Sequence, residues 1–249
     1  MPSDQPRAQA VVMAGGKGSR LYPYSAVLPK PLMPLGGMPV LELLLRQFRH
    51  HQIRDIVLAT NHLSHLIQSF FGDGLGLDLR ISYSREDRPL GTCGPIAAVL
   101  DRMTENFLVS NGDLLTNIDV GRLLAFHNAN GADATVATFR RDMKLEFGVL
   151  DVAPDKRVIE YREKPEHSYN VSMGLYVLRR EAVRNYIPAE THMDMPALLN
   201  RLIEVGRPVL SFQEECLWLD IGSPDDYAKA QAIMESKPST FLPPDRPRS

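Results

Sequence analysis

Short apolar runs rich in β-branched residues recur at 10–13, 55–59, 79–83, 107–110, 134–139 and 175–178, each bounded by polar or glycine-containing segments. Runs of this length between turn signals read as strands buried on both faces. Between several of them the period changes to that of a helix. Residues 40–50 put Leu41, Leu44, Leu45 and Phe48 on one stripe, and residues 63–71 and 95–103 repeat the pattern over shorter lengths. Strand alternating with helix predicts an α/β fold with a doubly wound, mostly parallel, Rossmann-like sheet and right-handed crossovers. Ligands of such sheets sit beyond the carboxyl ends of the strands. Gly15, after the first strand, and Gly112-Asp113, after the fourth, should therefore face one crevice.

The middle of the chain breaks the alternation. Residues 147–152 and 157–162 flank Ala-Pro-Asp-Lys, a turn-like segment, and predict a β-hairpin within a lid-like insertion from 145 to 177. Helices are expected at 181–186, 195–205 and 224–235, the last with Ser223 as N-cap and Pro224 at the first helical position. Four of the last thirteen residues are proline. The reading is a single domain over 8–236, with 1–7 and 237–249 as disordered tails.

Composition narrows the picture. The chain has 249 residues, 44% of them hydrophobic and 23% charged, with a formal net charge of −2. A core of this size needs no staples, and the charge gives no support to a nucleic-acid or anionic-membrane partner. The two cysteines, Cys93 and Cys216, have no zinc or redox spacing and read as reduced thiols of a cytoplasmic protein. No apolar run is long enough to span a membrane, and the first residues do not resemble a signal peptide. His50-His51 and His62-x-x-His65 read as surface histidines rather than metal ligands.

The chemistry concentrates where the chain leaves its first strand. Ala14-Gly15-Gly16-Lys17-Gly18-Ser19-Arg20 is followed by Pro29-Lys30-Pro31. Three glycines let an anion approach the backbone amides, which form a concave nest for phosphate. Arg20 adds a fixed fork of donors and Lys30 a point charge. Strand, glycine turn and two cations together read as a polyphosphate site. It is neither a P-loop, since Gly18 breaks that spacing, nor the dinucleotide fingerprint, whose third glycine is Leu21 here.

This opening, G-G-K-G-S-R-L-Y-P with P-K-P-L, resembles that of the sugar-1-phosphate nucleotidyltransferases. The likeness continues in order through P-L-G-T-C-G-P (89–95), S-N-G-D (110–113), F-G-V (147–149), R-E-K-P (162–165), S-M-G-L-Y-V (172–177) and W-L-D-I-G-S-P (218–224), covering about residues 9–233. Ser19, Tyr24-Ser25 and Cys93 depart conservatively from the usual residues. The resemblance implies the nucleotide-diphospho-sugar transferase fold and an enzyme joining a nucleoside triphosphate to a sugar 1-phosphate with release of pyrophosphate. It puts Arg20 on the β/γ phosphates and Lys30 near the reacting phosphate as the catalytic cations. Ala14, Gly15, Gly16, Gly18, Ser19, Leu90, Gly91, Thr92 and Gly94 would bind the nucleotide. Gly148, Glu163, Lys164 and Gly174 would bind the sugar phosphate, and Asp113 and Asp220 would hold Mg²⁺.

The 89–95 loop is closest to the mannose-1-phosphate guanylyltransferase branch, which favours GTP as donor and a mannose-, heptose- or similar 1-phosphate as acceptor. Thymidylyl, uridylyl, cytidylyl or adenylyl transfer stays open, as does a homo-oligomeric state. A non-catalytic sugar-nucleotide-binding subunit is the other reading, disfavoured because Arg20, Lys30, Asp113 and Asp220 are all present. A glycosyltransferase would want a D-x-D motif that N-G-D-L-L does not supply.

Overall fold

The protein is described by a computed structural model over residues 8–16, 18 and 24–242. Thirteen strands and seven α-helices lie within them. In chain order these are β1 (Gln9–Met13), the small hairpin β2 (Pro34–Leu35) and β3 (Met38–Pro39), α1 (Val40–His50), β4 (Asp55–Thr60), α2 (Ser64–Phe71), β5 (Arg80–Arg85), α3 (Gly94–Ala97), β6 (Asn106–Asn111), β7 (Leu114–Thr116) and α4 (Val120–Ala129). Then follow β8 (Ala134–Lys144), β9 (Val149–Val152), β10 (Val158–Arg162), β11 (Glu166–Arg179), α5 (Arg180–Val183), α6 (Met195–Glu204), β12 (Val209–Gln213), β13 (Trp218–Asp220) and α7 (Pro224–Ser236).

Seven strands form the main sheet in the order β12-β8-β11-β6-β1-β4-β5. All neighbours run parallel except β11, which is antiparallel to both β6 and β8. Alternation along the strands builds a core on each face. Ala10 and Val12 of β1, Ile56 and Leu58 of β4 and Leu108 of β6 meet α1, α2 and α4 on one side. Val11, Val57 and Val109 join Ile96, Val183, Leu198 and Leu202 from α3, α5 and α6 on the other. The doubly wound expectation holds for this reason: every central strand offers apolar side chains to both faces. Helix α7 packs against α1 and β7 as a third cluster, and its cap is as expected, the Ser223 hydroxyl accepting from the amide of Asp226.

Two expectations need correction. The segment from 145 to 177 is not one insertion. The hairpin exists, as β9 paired with β10, but β11 is a single 14-residue strand whose second half, Leu175–Arg179, lies between β6 and β8 in the sheet centre. Its first half and the end of β8 run on beyond the sheet as a two-stranded ribbon that carries the hairpin. Polar residues at Glu166, His167, Ser168 and Asn170 hide this strand because the ribbon has no core to pack on. The tail is also ordered further than expected. Residues Pro238–Thr240 form a 3₁₀ turn, and Phe241 is fully buried beside α1 and α7. The Gln47 amide donates to the Phe241 carbonyl, at 3.2 Å, and also to that of Thr116. Residues 243–249, like 1–7, lie outside the described residues.

Candidate active site

A crevice of about 420 Å³ opens at the carboxyl ends of β1, β4, β5 and β6. Its floor is knitted from backbone: the Ala14 amide donates to Ala59 (2.8 Å) and the Gly112 amide to Met13 (2.8 Å). Ala14, Gly15, Gly16, Gly18, Lys30, Leu90, Gly91, Thr92 and Asp113 all line it. Ser19 and Arg20 lie outside the described residues.

The 89–95 loop is clamped by the segment leading into α6. The amides of Cys93 and Gly94 donate to the Met193 carbonyl, and the Met193 amide returns a bond to Leu90. The Thr92 amide donates to Asp194 (3.0 Å), and the Met195 amide donates to the Thr92 hydroxyl (2.9 Å). Gly91 sits at φ +79, where a Cβ would fall 2.5 Å from the Met193 carbonyl oxygen, so no other residue fits this turn without moving the clamp. Gly94 does not line the crevice; it packs behind the loop against Thr191 and Leu90. Cys93 is fully buried there, and burial with the nearby Asp194 charge pushes its thiol up to about 12, leaving it an inert packing group.

Lys30 and the two aspartates come together. The 3₁₀ turn Lys30–Leu32 presents the lysine. Asp113 follows β6, and antiparallel pairing of β13 with β7 sets Asp220 opposite Leu114, one residue on. The Lys30 ammonium is ion-paired to Asp113 and lies 3.8 Å from Asp220. Two carboxylates from adjoining strand ends form an oxygen donor set suited to a hard divalent cation. Among the described residues no third carboxylate, histidine or cysteine joins them in a metal-ligating group.

Two residues that the sequence reading overlooked also line the crevice: Asn61, directly after β4, and Glu86, directly after β5. They flank Gly15, whose added Cβ would meet Asn61 at 3.1 Å and the Glu86 Oε1 at 3.5 Å. The Glu86 Oε2 accepts from the Leu90 amide at 2.9 Å. Burial pushes the Glu86 carboxyl above the usual carboxylate range, and the Leu90 bond partly offsets this. The Asn61 side-chain nitrogen is buried and has no hydrogen-bond partner among the described residues. The signal available in sequence was the one used for Gly15 and Asp113: a position just past the carboxyl end of a parallel strand.

The four residues assigned to the sugar phosphate stand apart from the crevice lining. Glu163 and Lys164 are exposed between β10 and β11, Lys164 at φ 45. The Tyr161 hydroxyl donates to Glu163 at 2.7 Å, and Gly148 makes room for it, since a Cβ there would lie 2.2 Å from that hydroxyl. Gly174 is buried at φ +77, where the pairing register of β11 with β8 shifts, and its absent Cβ makes room for Asn111, which does line the crevice. Among the described residues no helix is long and apolar enough to cross a membrane.

The family model described as nucleotidyl transferase matches residues 9–237. The chain is 32% identical over 231 residues to a mannose-1-phosphate guanylyltransferase of Mycobacterium tuberculosis, covering 91% of this chain and 64% of that protein. It is 29% identical over 241 residues to a UTP--glucose-1-phosphate uridylyltransferase of Synechocystis, covering 89% and 62%. It is 29% identical over 229 residues to a D-glycero-alpha-D-manno-heptose 1-phosphate guanylyltransferase of Aneurinibacillus thermoaerophilus, covering 91% and 98%. The chain thus spans less than two thirds of the first two relatives and nearly all of the third. The crystal structure of HddC from Yersinia pseudotuberculosis complexed with GMP-PN shares the fold, with a TM-score of 0.72 at 24% identity over 91% of this chain and 99% of that one.

Proposed function

The chain belongs to the nucleotidyl transferase family, and from that premise we propose that it joins a nucleoside triphosphate to a sugar 1-phosphate, releasing pyrophosphate. The observation that carries this reading is the convergence of the glycine nest, Lys30 and Asp113 on one crevice, with Asp220 3.8 Å from the Lys30 ammonium. An acceptor phosphate oxygen attacks the α-phosphorus, that P–O bond forms, and the bond from α-phosphorus to the bridging oxygen breaks. The attacking oxygen is already anionic, so the residues need only position the groups and neutralise charge. The amides of the nest hold the triphosphate, and Lys30 neutralises charge as it builds on the transferring group. A divalent cation on Asp113 and Asp220, Mg²⁺ in this reading, would supply further neutralisation of the phosphates. Arg20 keeps the role implied by the motif, on the β/γ phosphates.

GTP is the donor we favour, and Glu86 with Asn61 gives that choice a physical basis. The guanine edge offers two adjacent donors, N1–H and N2–H, and one acceptor, O6. A carboxylate accepts both donors, and an amide nitrogen supplies the acceptor's partner. Uracil and thymine place a single donor between two carbonyls, which a carboxylate serves poorly. The curated relatives include two named guanylyltransferases, of mannose 1-phosphate and of a manno-heptose 1-phosphate, and we take an acceptor of that kind for this chain. Lys164 and Glu163 on the ribbon, with Gly148 and Gly174 supporting Tyr161 and Asn111, are the acceptor side of the proposal.

The deciding experiment is a matrix of five nucleoside triphosphates against mannose, glucose and manno-heptose 1-phosphates, read by pyrophosphate release. GTP with a manno-configured acceptor should give the highest kcat/KM. Binding of GTP without turnover on any acceptor would replace the transferase with a sugar-nucleotide-binding subunit.

A further inference from the structure

Lys30 occupies the position that the carboxylate pair would offer to a cation. Its side chain is only 11% exposed, against 25% for Asp113 and 51% for Asp220. Its stem is held: Pro29 and Pro31 flank it, it opens the 3₁₀ turn to Leu32, and Gly18 at φ +60 lies against its Cβ. The ammonium is in contact with Asp113 and within 3.8 Å of Asp220. An ammonium has three donors and no acceptor, so it satisfies the same carboxylate oxygens that a divalent cation would use. A second positive ion a few ångströms away would be strongly repelled in this partly enclosed site. We propose that Lys30 is the resident counter-ion of the Asp113/Asp220 pair in the nucleotide-free protein, that the ammonium and a divalent cation are mutually exclusive occupants, and that a cation arriving with a nucleotide releases Lys30 onto the phosphates.

This rests on the transferase reading for the metal and phosphate ligands, but its test does not depend on turnover. Three consequences follow from exclusive occupancy. The nucleotide-free protein holds divalent metal weakly. Removal of the ammonium leaves two uncompensated carboxylates and strengthens metal binding. A guanidinium in its place keeps the site closed.

The experiment is titration of nucleotide-free protein with Mn²⁺, following free Mn²⁺ by electron paramagnetic resonance, for wild type, Lys30→Met, Lys30→Arg and the double variant Lys30→Met/Asp113→Asn. Lys30→Met should bind Mn²⁺ at least about tenfold more tightly than wild type. Lys30→Arg should stay near wild type, and the double variant should lose the gain. A thermal melt confirms folding, and Lys30→Gln replaces Lys30→Met if the latter unfolds. Equal Mn²⁺ affinity in wild type and a folded Lys30→Met would overturn the proposal, as would a gain that survives Asp113→Asn or tight Mn²⁺ binding by nucleotide-free wild type. Absence of pyrophosphate release from every substrate pair would sink the transferase reading while leaving the Mn²⁺ comparison intact.

Discussion

Glu86→Gln is the substitution that isolates nucleobase recognition from the rest of the site. The glutamine carbonyl can take over the bond from the Leu90 amide, now 2.9 Å from Oε2, so the loop should keep its shape. What changes is the atom left facing the base: an acceptor oxygen becomes an NH₂ donor aimed at guanine donors. The variant loses one charge-assisted hydrogen bond, about 1.5–3 kcal/mol, and leaves a donor unsatisfied, about 1–3 kcal/mol. The sum of about 2.5–6 kcal/mol corresponds to a drop of about sixtyfold to about twenty-thousandfold in kcat/KM for GTP. UTP should lose much less, since the carbonyl oxygens that flank its single N3–H can accept from the new NH₂. Inosine triphosphate lacks the 2-amino group, so its disadvantage against GTP in wild type should shrink towards parity in the variant. The assay is pyrophosphate release with mannose 1-phosphate as acceptor, alongside a thermal melt. If GTP, UTP and inosine triphosphate all fall by one common factor, Glu86 acts by holding the Leu90 loop, and the base-reading argument is wrong.

Three further outcomes are expected. Lys164→Ala should raise the acceptor KM about tenfold or more by removing one charge-assisted phosphate contact, with the nucleotide KM unchanged; a selective rise for the nucleotide instead would displace Lys164 from the acceptor side. Gly91→Ala should destabilise the clamp, since a left-handed turn costs an L-residue about 1–2 kcal/mol and its Cβ collides with the Met193 carbonyl; nucleotide affinity and Tm should fall together, and an unchanged Tm would show that the loop yields freely. Fully buried His127 is held well below the usual histidine range, at about 4, mainly by burial and then by Arg179, with Asp133 opposing. The unfolded chain protonates first, near 6.5, so stability should be lost as pH falls from about 6.5 through about 4, by roughly 3 kcal/mol in full. Denaturant melts should show a shallower acid loss for His127→Gln, which can still bond Thr135 and Asn106, the two partners of the imidazole; parallel curves for wild type and variant would discount His127.

The crevice lining was legible because each of its parts carries its own physical signature. A buried strand ending in glycines, a proline-flanked lysine and a strand-end aspartate can be read singly, and the parallel topology then forces them to one edge. Asn61 and Glu86 obey the same rule and were missed because a lone polar residue after a strand looks like loop. Asp220 needed the resemblance, since only the pairing of β13 with β7 brings it to Asp113. The first half of β11 and the tail around Phe241 were illegible for opposite reasons. The ribbon has strand geometry without a buried face, so its sequence carries no period-2 hydrophobic signal. Phe241 has a buried destination, but one phenylalanine among prolines has no period at all.

On the proposed reading, burial also divides the labour between the two substrates. Crevice groups are fixed by hydrogen bonds to core strands, as Ala14 is to Ala59, Gly112 to Met13 and Glu86 to Thr60, so a nucleotide bound there would meet a preformed surface. Glu163 and Lys164 stand on an extension where Phe147, Ile159, Tyr161 and Tyr169 are all more than half exposed. A two-stranded extension with so little packing is marginal by itself, and a Lys164 that holds the acceptor phosphate, as proposed, would have to be ordered when the acceptor arrives. On that reading, part of the acceptor's binding energy would go into ordering the ribbon. Substitutions on the ribbon should change the acceptor KM, while substitutions in the crevice should change kcat/KM for the nucleotide. Shortening the hairpin tip without touching Lys164 would separate the two, because it removes exposed ribbon surface and leaves the charge.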